Sequence, residues 1–145
     1  AESRPQELLS KVRRLEEIRA ERGEPNYMED IEWHFIGHLQ TNKLKMVLPY
    51  VTLVQSVDSV RLLEAINSWG AANSKVIDVL LEPHVAAEET KQGFVEEEVL
   101  DILFRAEKFR NVRFCGLMGM ASHTDNEDDN TLFHYISISC PSLDI

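Results

Sequence analysis

The sequence predicts an α/β fold built on a parallel sheet. Short apolar segments take turns with segments whose apolar residues recur at helical spacing, in the order α-β-α-β-α-β-α-β. The apolar segments are nearly continuous rather than alternating, which suits strands covered on both faces. Repeated βα units of this length fit either a doubly wound sheet or a piece of a (β/α)8 barrel. A full barrel takes ~250 residues, and the 145 residues here hold about four of its units.

The first helix is announced by Ser3 and Gln6, a capping-box pair, with Pro5 in the first turn where its missing N–H matters little. Leu8, Val12, Leu15 and Ile18 supply its apolar stripe, and Gly23 ends it. Trp33 to Gly37 reads as a strand and Asn42 to Leu48 as a short helix before Pro49. Leu53 to Val57 is the second strand. Asp58 or Ser59 then caps a helix carrying Leu62, Leu63 and Ile66, with Gly70 at its end. Val76 to Val85 is the third strand. Val95, Val99, Ile102, Leu103 and Ala106 form a helical stripe after Gly93, with Glu96, Glu97 and Glu98 placed favourably in its first turn. Val112 to Met120 is the fourth strand, and Phe133 to Ser139 alternates weakly, as an edge strand would. No linker divides the chain, so residues 1–145 read as one domain.

Charge and cysteine usage exclude several classes. Twenty-five acidic against 15 basic residues give a net charge of −10, which opposes nucleic-acid binding. No apolar run approaches the ~18 residues of a membrane span. Glu2, Arg4 and Glu7 at the start are unlike a signal peptide. Cys115 reads as a buried thiol, Cys140 offers no disulfide framework, and a reducing cytoplasm is the default compartment. The chain does not begin with methionine, and Ala1-Glu2-Ser3 runs straight into a helix, which reads as a cut within a longer gene product.

Candidate chemistry gathers at the ends of the strands, where ligands sit in parallel α/β folds. Gly37 closes the Trp33 strand and allows close approach of backbone to a ligand. His34 is either a hydrogen-bonded core histidine or a ligand-facing one. On a strand, His34 and His38 lie about 13 Å apart, too far to share a metal. Gly116-Leu117-Met118-Gly119 is a tight strand exit or a backbone lining for a pocket, and Lys91 is a surface lysine or one poised at the strand rim for a phosphate or an aldehyde. The acidic stretch 125–130 lacks the glycine and the glutamate of a calcium loop. No phosphate-binding glycine fingerprint is present.

Four segments, in order and spacing, resemble the pyridoxal phosphate homeostasis proteins, relatives of the alanine racemase N-terminal barrel. They are Glu2-Ser3-Arg4-Pro5-Gln6-Glu7-Leu8, the run Ile31 to Lys43 with its core Trp33-His34-Phe35-Ile36-Gly37-His38-Leu39-Gln40, the pair Gln55-Ser56-Val57-Asp58-Ser59 and Glu88 to Phe94, and Cys115-Gly116-Leu117-Met118-Gly119-Met120-Ala121. The resemblance covers roughly residues 1–133. It implies a partial (β/α)8 TIM-type barrel of the alanine racemase N-terminal type that binds pyridoxal 5′-phosphate as a Schiff base. It also implies a carrier or buffer of the cofactor, working with cofactor-dependent apoenzymes, without a firm catalytic turnover. Carried over by position, Ser3, His34, Gly37, Lys91 and Met118 are the cofactor-binding candidates, with Lys91 a secondary lysine at the rim. The family's Schiff-base lysine belongs to a segment upstream of Glu2, and its phosphate cradle and pyridine-nitrogen arginine lie beyond Phe133. Here Phe133 to Pro141 departs from the family's helix, and Pro83 stands where an aliphatic residue is usual. A truncated or frame-shifted product is the expectation, binding the cofactor weakly or not at all. Its open sheet edges favour self-association, with light scattering as the readout. The rival reading is a cofactor-free α/β binding module; a racemase or lyase ranks last, because no second acid–base residue is evident.

Overall fold

The computed structural model describes residues 1–84 and 93–119. In chain order these form α1 (Pro5–Arg22), β1 (His34–Phe35), a 3-10 turn (Thr41–Lys43) running into α2 (Leu44–Val47), β2 (Leu53–Val57), α3 (Val60–Asn73), β3 (Ile77–Leu81), α4 (Glu96–Phe104), a second 3-10 turn (Ala106–Lys108) and β4 (Val112–Leu117). The four strands are all parallel, in the spatial order β1-β2-β3-β4.

That order decides between the two architectures the sequence left open. A doubly wound sheet reverses its strand order at a switch point, with helices on both faces. Here each strand lies beside its predecessor, as in consecutive units of a barrel. The arrangement is a partial (β/α)8 TIM-type barrel among the described residues. The extended segment before α1 joins the sheet beside β1: Glu2 N–H donates to His34 O at 2.8 Å, and Ile36 N–H donates to Glu2 O at 2.9 Å.

Register explains which face is apolar. Phe35, Val54, Val79 and Phe114 share one row across the sheet. The first three are fully buried and pack in one core with Leu8 of α1, Leu62, Leu63 and Ile66 of α3, and Val99 and Ile102 of α4. Burial of each large aliphatic or aromatic side chain contributes about 1.5–3 kcal/mol. The adjacent row, His34, Leu53, Asp78 and Arg113, belongs to the opposite face and is largely polar. The strands are therefore apolar toward the helices and mixed on the face that a barrel turns inward, a difference from the expectation of two apolar faces.

Several boundaries move. Ser3 does not cap α1: the N-cap is Arg4, no side chain caps it, and Pro5 is the first helical residue. Gly23, at φ 66°, ends α1 as expected. Gly70 lies inside α3, and the left-handed C-cap is Ser74 at φ 52°. Of the two caps considered for α3, Ser59 is the one used, its Oγ accepting from Leu62 N–H at 3.4 Å. The first strand contracts to His34–Phe35, the third to Ile77–Leu81 and the fourth to Val112–Leu117, because hydrogen-bonded pairing stops before apolar character does. Pro83 lies beyond β3, in an isolated bridge to Phe94, so it removes no donor from the central ladder. Cys115 is buried, as expected. Val85, Lys91, Met120, the acidic stretch 125–130, Phe133 to Ser139 and Cys140 lie outside the described residues.

Candidate functional site at the C-terminal rim of the sheet

The strand ends meet on one rim. After β1 the chain turns at Gly37, whose φ of 95° favours glycine. Its N–H donates to the fully buried Ser56 Oγ of β2 at 2.6 Å, tying the turn to the neighbouring strand. A side chain on Gly37 would meet Ser3 Cβ at 3.7 Å, so Ser3 and Gly37 form one corner of the rim.

His34 does not share that corner. It stands three residues earlier, about 10 Å along the strand. There Gln55 Nε2 donates to its Nδ1 at 3.2 Å, and Glu32 Oε2 lies 3.8 Å from its Nε2. The same inner face carries Arg113, whose Nε donates to Asp78 Oδ1 at 2.8 Å. Hydrogen bonding to Asp78, then its charge, raises the Arg113 pKa and fixes the guanidinium as a cation. A 190 Å³ cavity lies here, lined by Glu32, His34, Thr52, Leu53, Asp78, Arg113 and Cys115. His34 thus belongs to a polar layer below the rim. Met118 is on the rim at the end of β4, its N–H donating to Leu81 O at 2.8 Å. It is three strands, about 14 Å, from β1. Of the five candidates, the structure brings Ser3 and Gly37 together, keeps Met118 on the same rim, sets His34 beneath it, and does not describe Lys91.

Three residues not chosen from sequence complete the rim. His38 Nδ1 lies 2.7 Å from Asp58 Oδ2, and Ser59 Oγ donates to Asp58 Oδ1 at 3.1 Å. Glu82 follows β3, with its N–H donating to Val57 O at 2.8 Å. Val57 and Leu81 are register partners across an irregularity in the β2–β3 pairing, and Asp58 and Glu82 each follow directly on the end of their strand. Burial, then the charge of Asp58, raises the Glu82 pKa, opposed by His38. Beside these groups a 310 Å³ pocket is lined by residues including His38, Thr41, Asn42, Asp58, Ser59 and Arg61. A signal was legible: His38, Asp58 and Glu82 are the first charged or titratable side chains after three successive apolar strands.

The raised pKa of Glu82 has a defined sign. The folded chain holds this proton more tightly than the unfolded chain. Stability from this group is therefore fully present below the ordinary glutamate value and falls as pH rises through the folded value. Glu82→Gln is expected to flatten that decline and to raise the thermal midpoint at pH 7 by about 2 °C. Melting curves from pH 4 to 8 check it; superimposable pH profiles for the two proteins would contradict the assignment.

The alanine racemase N-terminal domain family matches residues 11–137, and the chain belongs to that family. Within it, the chain is similar to proteins named pyridoxal phosphate homeostasis protein. It is 36% identical over 128 residues to the one from Aquifex aeolicus, covering 88% of this chain and 51% of the relative. It is 36% identical over 118 residues to the one from Synechocystis sp., covering 81% and 50%. The chain spans about half the length of the curated relatives it matches. Among solved structures, an unknown protein from Bifidobacterium adolescentis superimposes with a TM-score of 0.71 at 32% identity, covering 88% of this chain and 51% of that one. PipY of Synechococcus elongatus, solved with PLP bound, gives a TM-score of 0.70 at 21% identity over 90% of this chain and 56% of that one, a likeness of fold. The family read from the four sequence segments is thus established, and with it the barrel type.

Proposed function

We propose that the chain forms part of a pyridoxal 5′-phosphate site and serves intracellular homeostasis of that cofactor, as a carrier rather than a catalyst. The observation that carries this reading is the unreversed parallel order β1-β2-β3-β4, in a member of this family, with a polar rim at the strands' C-terminal ends. The names of the relatives and the cofactor bound to PipY support it.

The residues at the rim fit one wall of such a site. Gly37 permits close approach of backbone to a flat ring, Ser3 offers a hydroxyl beside it, and Met118 offers a polarizable thioether. His34 supports that wall from below through Gln55. Charge at the end of β2 is mixed, with Asp58 and Arg61 lining the same pocket. None of these rim residues is a lysine, and we assign the amine to Lys91, on the family resemblance of the Glu88 to Phe94 segment. When bound, the cofactor supplies an aldehyde that condenses reversibly with amines. His38 and Asp58 are hydrogen-bonded to each other at the rim, and Gly37 with Ser56 fixes the turn that bounds it. A cytoplasmic location, delivery to apoenzymes and self-association along the sheet edges belong to the same reading. Among the described residues no helix is long and apolar enough to cross a membrane.

Amide NMR of the labelled chain during titration with pyridoxal 5′-phosphate tests the proposal. Shifts are expected at Gly37, His38 and Met118 and not at Ile77 or Val112, at the strands' other ends. Borohydride reduction and peptide mapping should confine any adduct to Lys91. Shifts centred on the N-terminal ends of the strands, or adducts scattered over surface lysines, would reject the reading.

A further inference from the structure

Among the described residues, one polar side chain is fully buried: Ser56 of β2. A hydroxyl taken out of water is costly unless it is hydrogen-bonded, so a serine here needs a reason. The Gly37 N–H supplies it, donating to Ser56 Oγ at 2.6 Å. Register explains the pairing. Phe35 lies opposite Val54, and continuing that register two residues places Gly37 opposite Ser56. By then β1 has ended, and at φ 95° Gly37 has left the extended backbone. The hydroxyl takes over where the ladder stops. It lets the chain turn out of the sheet while a buried bond still fixes the turn to β2. A second tie joins the same two segments, between His38 Nδ1 and Asp58 Oδ2 at 2.7 Å. The His38 side chain is 54% exposed, so water competes for that tie, whereas Ser56 is sealed from water.

We propose that Ser56 is the positioning residue of the cofactor wall: its hydroxyl holds the Gly37 turn where backbone lies against the bound ligand. This deepens the cofactor reading above and rests on it. Ser3 and Gly37 form one corner of the rim, and each side of that corner has its own support. The Ser3 side is carried by Glu2, whose backbone bonds both His34 and Ile36. The Gly37 side is carried by Ser56, which is buried and acts through Gly37 rather than on the ligand itself. Removing the hydroxyl leaves a part-buried N–H without its acceptor, and the turn then shifts to find water. Contact of backbone with a flat ring tolerates little such movement. A gap of about 0.5–1 Å already forfeits a quarter to a half of the dispersion attraction. Alanine at this position lacks the acceptor, and threonine keeps it with one methyl more.

The test uses the whole chain labelled with 15N, and pyridoxal 5′-phosphate as the probe. Without cofactor, Ser56→Ala should move the Gly37 amide proton upfield and speed its hydrogen exchange by about tenfold, as loss of one hydrogen bond requires. Ser56→Thr should keep both close to the parent values. With cofactor, Ser56→Ala should raise the concentration for a half-maximal Gly37 shift by about five- to tenfold, and Ser56→Thr should restore most of the response. Ile102→Val, which trims a buried side chain of α4, controls for simple loss of stability: it should change neither the Gly37 resonance nor the cofactor response. Should Ser56→Thr overpack the site and melt below Ser56→Ala, Ser56→Cys takes its place; its thiol is a weak acceptor, and an intermediate response is expected. An unmoved Gly37 amide in Ser56→Ala would refute the tie. A moved amide with an unchanged cofactor response would make the tie structural only, ending the positioning role while the cofactor reading stands. A cofactor response weakened equally by Ile102→Val would end it too. If the cofactor moves no rim residue in the parent chain, the cofactor reading falls and the positioning role with it, while the Gly37 amide still reports the tie.

Discussion

Phe35→Ala is expected to destabilise the fold by about 3–5 kcal/mol, the range for deleting a buried aromatic ring. For a chain of this size that lowers the thermal midpoint by about 15 °C, and total domain stability is only about 5–15 kcal/mol. Phe35 is fully buried and lies in β1, which is two residues long. So short a strand has few ladder bonds of its own, between the Glu2 bridge on one side and β2 on the other. The ring's burial against the helices fixes where the strand lies. Removing it should also loosen the Gly37 turn and His38, which follow directly. Urea denaturation checks this: the midpoint should fall with little change of slope, and Tyr50→Ala, at a residue 41% exposed, should do far less. A loss under about 1 kcal/mol for Phe35→Ala would mean that β1 is held by something other than this packing.

Gly70→Ala is expected to lower the thermal midpoint by about 10 °C, roughly 3 kcal/mol, although helix propensity by itself argues the other way. Alanine in a helix interior is favoured over glycine by about 1 kcal/mol. At this position, however, a Cβ would sit 2.7 Å from Lys75 O, 2.8 Å from Asn111 Cβ and 3.0 Å from Asn111 O. Two of these are backbone atoms, and neither can retreat cheaply. Lys75 O accepts from the Asn111 side-chain amide at 3.0 Å, and Asn111 O accepts from Ile77 N–H at 3.0 Å. Asn111 N–H is itself tied to Asn67 Oδ1 at 3.0 Å. The clash therefore outweighs the propensity, and calorimetry decides the sign. An unchanged or raised midpoint would show that the crossing of α3 and the segment before β4 is looser than these bonds indicate.

Gly70 also shows where sequence reading stops. A glycine after Leu62, Leu63 and Ile66 looks like a helix end, since glycine commonly takes the left-handed cap position. The helix runs on to Asn73, and the glycine instead leaves room for Asn111, 41 positions later in the chain, a neighbour that no local pattern reveals. Ser3 misled in the same way. Its capping-box spacing to Gln6 is real, but the segment is drawn into pairing with β1, and Arg4 becomes the N-cap. Of the candidate site, Gly37 was legible as a strand-ending glycine, and its contact with Ser3 was not. His38 was weighed only as a metal ligand, Asp58 only as a helix cap and Glu82 not at all, because none stands out as a site residue until the strands are set side by side.

The sequence by itself determined the alternation of helices and strands, the parallel pairing and the family. Those follow from apolar periodicity, helix stop signals and four motif segments, all local properties. Only the tertiary structure decided the unreversed strand order, the polar layer of His34, Asp78 and Arg113 on the inner face, and the meeting of His38 with Asp58 across 20 positions. Strand order depends on how each crossover packs on its neighbours, and hydrogen-bond partners depend on register. Both are set by contacts between residues far apart in the chain, which periodicity does not encode.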